Sequence, residues 1–378
     1  MAEWSGRALQ KLPQRFESAR DLQIKRITIV VLFLFLPDLL SKCGNIEIYK
    51  MIEFIFIIFY SIFIFLRFKY PRLKNSDSIV KNNNFIHMNK VLKLISFVFI
   101  FSCSGFHLQA QKTDKKLERQ IRELLKDFHG DAGIYVHNLK KNKIVAINSD
   151  SIFPTASMVK IPIVIGIMDK IEKGELQYHQ ELIYKDSLLY EGVDILGSFK
   201  NNEKIEMSKV MMLMLTMSDN TASLWLQSLA GGGTRINELL DSLGMKVTRV
   251  NSRTPGREAN RNQYGWGQTT PYEMATLMEK IVKGEVINKN ASAKILRLLG
   301  RNYWDEDAIS QIPTDVFVAS KSGAVDASRS EVLFVNGKHC PYIFCICTNN
   351  NKDQSWDTNN EAWQLTRKLS KLLWESYR

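Results

Sequence analysis

Apolar and polar positions alternate with two different periods along this chain, and the change of period outlines its architecture. Leu117, Ile121, Leu124, Leu125 and Phe128 fall on one face at helical spacing, and Gly130 follows, so an amphipathic helix is expected over Lys115 to Phe128. Ala132 to Leu139 and Lys143 to Asn148 read as two strands, joined through Lys140-Lys141-Asn142 into a hairpin. From Ser157 to about Leu299 the pattern is helical, punctuated by Gly174, Gly197, Gly231-Gly232-Gly233, Gly244 and Pro255-Gly256. Strand character returns at Val316 to Ala319, Glu331 to Val335 and Tyr342 to Thr348, with Asn336-Gly337 as the turn between the last two, and a final helix is expected from Asn360 to Ser376. The order predicts a mixed α/β fold. An antiparallel sheet assembled from both chain ends is flanked by the terminal helices and carries an inserted all-helical subdomain.

The front of the chain follows another logic. Ile27 to Leu36 and Phe54 to Leu66 are apolar runs interrupted only by Thr28 and Ser61, both shorter than the roughly 20 residues that span a bilayer. After Met88, Asn89-Lys90-Val91-Leu92-Lys93 supplies a basic start, Leu94 to Phe101 an apolar stretch, and Leu108-Gln109-Ala110 a small residue at a cleavage position. Residues 88–110 therefore read as a secretory signal peptide, with Met88 as the start, Gln111 as the first mature residue, and the periplasm as destination. Residues 1–87 are then an upstream extension. The competing reading makes residues 27–66 genuine membrane-anchoring spans, the only route to membrane contact.

Charge follows the same division. The chain carries 51 Lys and Arg against 39 Asp and Glu, but residues 1–110 account for a net +8 of the total +12. The remaining positive charges form no basic stripe, so nucleic acid is not an expected partner. Six histidines are scattered without ligand spacing, and neither a metal nor another cofactor is expected. Of the five cysteines, Cys340, Cys345 and Cys347 lie in the 268-residue exported part, and Cys345 and Cys347 share one face of a strand. Buried inert thiols are the expectation for this odd set, with a bond from Cys340 to one neighbour as the alternative.

Three short motifs carry chemistry. Ser157-Met158-Val159-Lys160 places an amine one helical turn from a hydroxyl, and a serine needs such a base to become a nucleophile. The apolar run Ile161 to Met168 marks a buried helix whose N-terminal dipole and Ser157 N–H favour a developing oxyanion. Burial near other cations lowers a lysine pKa, which suits Lys160 to the role of base. Ser218-Asp219-Asn220 follows the apolar helix Met211 to Met217. Lys321-Ser322-Gly323 is expected at the end of a strand through Phe317-Val318-Ala319-Ser320. There Lys321 offers charge to a carboxylate, Ser322 a hydrogen bond, Gly323 room for close approach, and Ala324 a second oxyanion N–H.

S-x-x-K, S-D-N and K-S-G in this order, separated by 61 and 103 residues, resemble the signature of the penicillin-recognising serine hydrolases, and most closely class A β-lactamases. The resemblance covers residues 111–378. It implies one five-stranded sheet plus a helical subdomain with the active site between them, a relay of protons to the leaving nitrogen by Ser218, a substrate-amide bond to Asn220, and a substrate-carboxylate contact from Arg329. The family also carries a glutamate before a Thr-Thr-Pro helix start. Here Thr269-Thr270-Pro271 marks that start, but the glutamate position falls on Thr254, and Glu258 is the nearby carboxylate that a slipped loop could bring to the hydrolytic water. The expected substrate is thus a β-lactam or a peptidoglycan peptide, handled by a monomer. Three readings stay open: a β-lactamase, a D-alanyl-D-alanine-type peptidase with slow deacylation, and a membrane-tethered β-lactam receptor.

Overall fold

The structure, a computed structural model, describes residues 111–192 and 194–378. The expected signal peptide and the two apolar runs lie outside the described residues. The chain enters through β1 (Lys112–Thr113) and α1 (Lys115–Leu124), then forms the hairpin β2 (Asp131–Asn138) and β3 (Lys143–Ile147). The inserted lobe runs through β4 (Phe153–Pro154), α2 (Lys160–Glu172), β5 (Glu181–Ile183), β6 (Lys204–Glu206), α3 (Met207–Met212), α4 (Asn220–Leu229), α5 (Gly232–Ser242), β7 (Arg249–Val250), α6 (Glu258–Tyr264), β8 (Gly267–Thr269), α7 (Pro271–Lys283) and α8 (Lys289–Leu299). The chain closes with β9 (Val318–Val325), β10 (Ser328–Val335), β11 (Tyr342–Asn349) and α9 (Glu361–Tyr377).

The main sheet has the order β1-β3-β2-β11-β10-β9. It is six-stranded, which corrects the expected five: β1 pairs in parallel with β3, Lys112 opposite Lys143, while the other five strands are antiparallel. A two-residue polar strand carries no period, so nothing in the pattern announces it. The inserted lobe is not all helical either. It holds a three-stranded sheet, β4-β8-β7, and a two-stranded one, β5-β6.

Both faces of the main sheet are covered, so its inner strands read as continuous apolar runs. Leu333, Val335, Tyr342, Phe344 and Ile346 join Leu117, Ile121, Leu365, Leu369 and Leu373 of the terminal helices in one core. Val332, Phe334, Ile343, Cys345 and Cys347 face the second core, built on α2, where every residue from Lys160 to Asp169 is buried. Among the described cysteines all three are free and buried, with the Sγ atoms of Cys345 and Cys347 3.7 Å apart. Burial pushes the Cys345 thiol well above its ordinary value, which keeps it protonated and unreactive.

Polar anchors fix the lobe. Thr270 caps α7 by accepting from Glu273 N at 3.1 Å, a contact worth about 1 kcal/mol. The Glu273 carboxylate in turn accepts from the backbone N–H groups of Lys246, Val247 and Thr248. His137 of β2 is buried between Glu279 of α7, 2.8 Å from its Nδ1, and Asn142, 2.9 Å from its Nε2. An acceptor at each ring nitrogen favours the imidazolium. Burial opposes that charge, but the two hydrogen bonds outweigh it and the pKa is raised above 6.5. The stabilisation is therefore complete below the unfolded value and fades as pH rises through the folded one. His137→Ala should cost about 2 kcal/mol in acid and distinctly less in alkali, as read by denaturant unfolding at several pH values; a cost independent of pH would refute the charged state.

Candidate active site

The turn that holds Ser157 is built from both sides. Thr155 N donates to Gly267 O at 2.9 Å, pinning the chain to β8, and a short 3-10 turn over Ala156–Val159 then leads into α2. Ala156 adopts φ +43°, a left-handed conformation that costs an L-residue about 1 kcal/mol. On the other side β9 presses against the turn: a Cβ at position 323 would sit 2.7 Å from Ser157 N and 2.5 Å from Thr155 O. Only glycine allows that approach, and it sets β9 directly against the turn that carries the Ser157 N–H. Lys321-Ser322-Gly323 thus lies in the middle of β9 and not at a strand end, as the polar Ser320-Lys321-Ser322 stretch had suggested.

Lys160 is fully buried and collects four oxygen partners. Its Nζ lies 2.9 Å from Ser157 Oγ, 2.6 Å from Ser218 O, 3.1 Å from Ser218 Oγ and 2.8 Å from Asn220 Oδ1. The Ser218 carbonyl and Asn220 Oδ1 can only accept. A neutral amine has two N–H groups for them and one lone pair left for a hydroxyl proton. Burial holds the Lys160 pKa well below 10.5, and the positive charge of Lys321 adds to this, while Asp194 and Asp219 oppose it. Geometry and electrostatics therefore point to the same state, an amine able to take the proton of Ser157.

Ser218 reaches this cluster because the chain before it is irregular. A π-helical turn over Leu213–Met217 is followed by Ser218 at φ +61°, which turns its carbonyl and hydroxyl together toward Lys160. Asp219 then caps α4 through Ala222 N at 2.7 Å and accepts from Leu196 N at 2.9 Å, tying the loop before it to the motif. The capping role was legible in the sequence, since Asp before a helical run is a standard N-cap. The tie to Leu196 was not.

Lys321 is also fully buried, its Nζ donating to Ser322 O at 2.7 Å. Burial lowers its pKa to about 7, offset in part by Glu331. Glu331 stands opposite Ser322 in the register, whereas Val332 stands opposite Lys321, so the carboxyl lies on the reverse face of the sheet. Burial raises Glu331 to about 8.

Two expected residues are not brought to the cluster. Glu258 is exposed in the first turn of α6, and its carboxylate accepts from Gly256 N at 3.1 Å within its own loop. That loop is held by other groups, with Arg257 and Asn260 both donating to Gln268 Oε1 of β8 and Thr254 turned inward onto Ser252 O. Arg329 is 1% exposed. Its guanidinium donates to the carbonyls of Val325, Asp326, Ser328 and Ser355 and lies 4.5 and 4.7 Å from the ring centres of Trp356 and Trp363. It knits the β9–β10 turn to the C-terminal segment through both Nη groups, while its Nε is buried without a hydrogen-bond partner. No group of three or more His, Cys, Asp or Glu among the described residues is arranged to hold a metal.

A segment the sequence reading passed over completes the surroundings. Tyr303 N donates to Thr216 O and Trp304 Nε1 to Met217 O, each at 3.1 Å, and Asn302 Nδ2 donates to Ser320 Oγ at 2.8 Å. Residues 302–304 thereby clip the approach to Ser218 onto the approach to Lys321. The sequence showed there only two adjacent aromatics after a helix, with no motif to single them out.

Comparison with known proteins finds relatives in sequence and in fold. Beta-lactamase VEB-1 of Pseudomonas aeruginosa is 22% identical over 76% of this chain and 99% of its own length, and Beta-lactamase SME-1 of Serratia marcescens is 24% identical over 63% and 82%. Among solved structures, PBP-A superposes with a TM-score of 0.63 at 22% identity, covering 70% of this chain and 97% of that one. TLA-1 extended spectrum Beta-lactamase gives 0.61 at 20%, covering 69% and 97%. The model of the beta-lactamase enzyme family matches residues 116–377. The chain belongs to that family.

Proposed function

We propose that this protein is a serine hydrolase that opens β-lactam amides through an acyl-enzyme on Ser157. The observation that carries the reading is the Lys160 amine, buried and already committed to two acceptors, with its remaining valence directed at the Ser157 hydroxyl 2.9 Å away. Lys160 takes the hydroxyl proton as Oγ bonds to the substrate carbonyl carbon. The oxyanion is held by the N–H groups of Ser157 and Ala324, which the close approach of Gly323 supports. The C–N bond then breaks, and the proton passes from Lys160 through Ser218 Oγ, 3.1 Å from the amine, to the leaving nitrogen. An ester on Ser157 remains, and the amine is neutral again.

Lys321 and Ser322 suit a substrate carboxylate, and Asn220 a substrate amide. The buried Arg329 gives both Nη groups to carbonyls of its own turn and the C-terminal segment, so it does not support a contact with that carboxylate. Water must then attack the ester, and the outward position of Glu258 leaves Lys160 as the base that fits. A hydrolase whose second step lacks a dedicated carboxylate releases its acyl group slowly, which is the specific ground for a second reading as a penicillin-binding peptidase. PBP-A, which shares the fold, has a mutant solved as an acyl-enzyme complex with penicillin G. Export by residues 88–110 is part of the proposal, resting on their basic start, apolar stretch and Ala110. No helix among the described residues is long and apolar enough to cross a membrane.

The test combines turnover of a chromogenic cephalosporin with intact mass. The wild-type protein should hydrolyse it and show a transient adduct, and Ser157→Ala should lose both, with a fall in rate of at least roughly 10⁴-fold. Glu258→Gln should slow turnover far less than the roughly 100-fold expected on losing a general base. A permanent adduct would favour the peptidase reading. Neither adduct nor turnover would set β-lactams aside.

A further inference from the structure

Tyr303 and Trp304 are 58% and 45% exposed, an unusual concentration of bare aromatic surface beside a polar cleft. Their rings meet edge to face with centroids 5.3 Å apart. Neither is loose. The backbone of Tyr303 is tied to Thr216 O, the indole N–H of Trp304 to Met217 O, and Trp304 N donates to Asn302 Oδ1 at 3.2 Å. Asn302 is anchored in turn to Ser320. Thr216 and Met217 immediately precede Ser218, and Ser320 immediately precedes Lys321, so the pair is fixed to both motif-bearing edges at once.

We propose that Tyr303 and Trp304 form an aromatic wall that selects substrates carrying a planar apolar group on the leaving-nitrogen side of the scissile amide. The inference rests on the hydrolase reading of Ser157 and Ser218. Its direction follows from the anchor: the indole is bonded to the carbonyl one residue before Ser218, the residue that hands the proton to the leaving nitrogen, so the exposed ring face borders that half of the substrate and not the acyl half. The clip uses the Tyr303 backbone, the Asn302 amide and the indole N–H, but it does not require either ring face to stand bare to solvent. Against a substrate ring the same indole offers apolar area in a fixed orientation, so little ordering cost is incurred on binding.

Two cephalosporins that differ only in the ring substituent on the leaving side test this, one bearing a styryl group and the other a methyl. Tyr303→Ala, which removes a ring but no bond of the clip, should lower kcat/KM for the styryl compound by about tenfold, through KM and with kcat nearly constant, while the methyl compound changes less than about twofold. Tyr303→Phe should keep most of the preference. Trp304→Ala, which also removes the indole bond to Met217 O, should show the same selective loss on the styryl compound on top of a loss common to both substrates. Equal losses on both substrates, or none on either, would overturn the wall while leaving the hydrolase intact. Failure of the wild-type protein to be acylated by either compound would overturn the hydrolase reading and the wall with it.

Discussion

A lysine amine with no water around it is the constraint that organises this molecule. Lys160 sits at the first turn of a helix whose next nine residues are all buried, so its charge has no solvent to retreat to. The surroundings solve that problem with acceptors from two motifs in place of a carboxylate partner. Asp194 and Asp219 lie near enough to be felt, yet both spend oxygens on backbone N–H groups of neighbouring segments. The result is a site where the uncharged amine is the comfortable form. Burial that would be a liability in a structural lysine becomes the source of basicity here.

Much of the fold can be understood as support for that one amine. The left-handed residues Ala156 and Ser218 bend two unrelated segments toward Lys160, and such strained turns survive only where their surroundings over-determine them. For Ala156 the surroundings are β8 and β9, one bonded to Thr155 and the other packed against it through Gly323. For Ser218 they are the Asp219 cap on α4 and the clip at residues 302–304. The sheet supplies rigidity, since both of its faces are buried and its terminal helices close the side remote from the cleft.

The sequence was most legible where chemistry and local geometry coincide. Ser157 and Lys160 lie one turn apart, so their meeting needs only helix formation, and the strands β2, β3, β10 and β11 declare themselves through continuous apolar runs. Legibility failed where a side chain's fate depends on tertiary neighbours. Arg329 stands at a plausible distance along the chain from Lys321, but two tryptophans from the C-terminal segment and four carbonyls claim its guanidinium. Glu258 lies in the right loop, yet its own turn takes the carboxylate. The β9 strand looked short because Ser320, Lys321 and Ser322 are polar, and their polarity reflects the cleft they line. Trp304 carried no motif at all; its place came from one indole hydrogen bond.

The protonation state of Lys160 is the point on which the account stands. Heteronuclear NMR of protein labelled at the lysine ε-carbon, with the Lys160 signal assigned by its loss in Lys160→Arg, measures that state directly across a pH titration. The account predicts a neutral amine well below the ordinary lysine value of 10.5. A Lys160 signal that stays that of an ammonium ion until the pH passes 10.5 would contradict it.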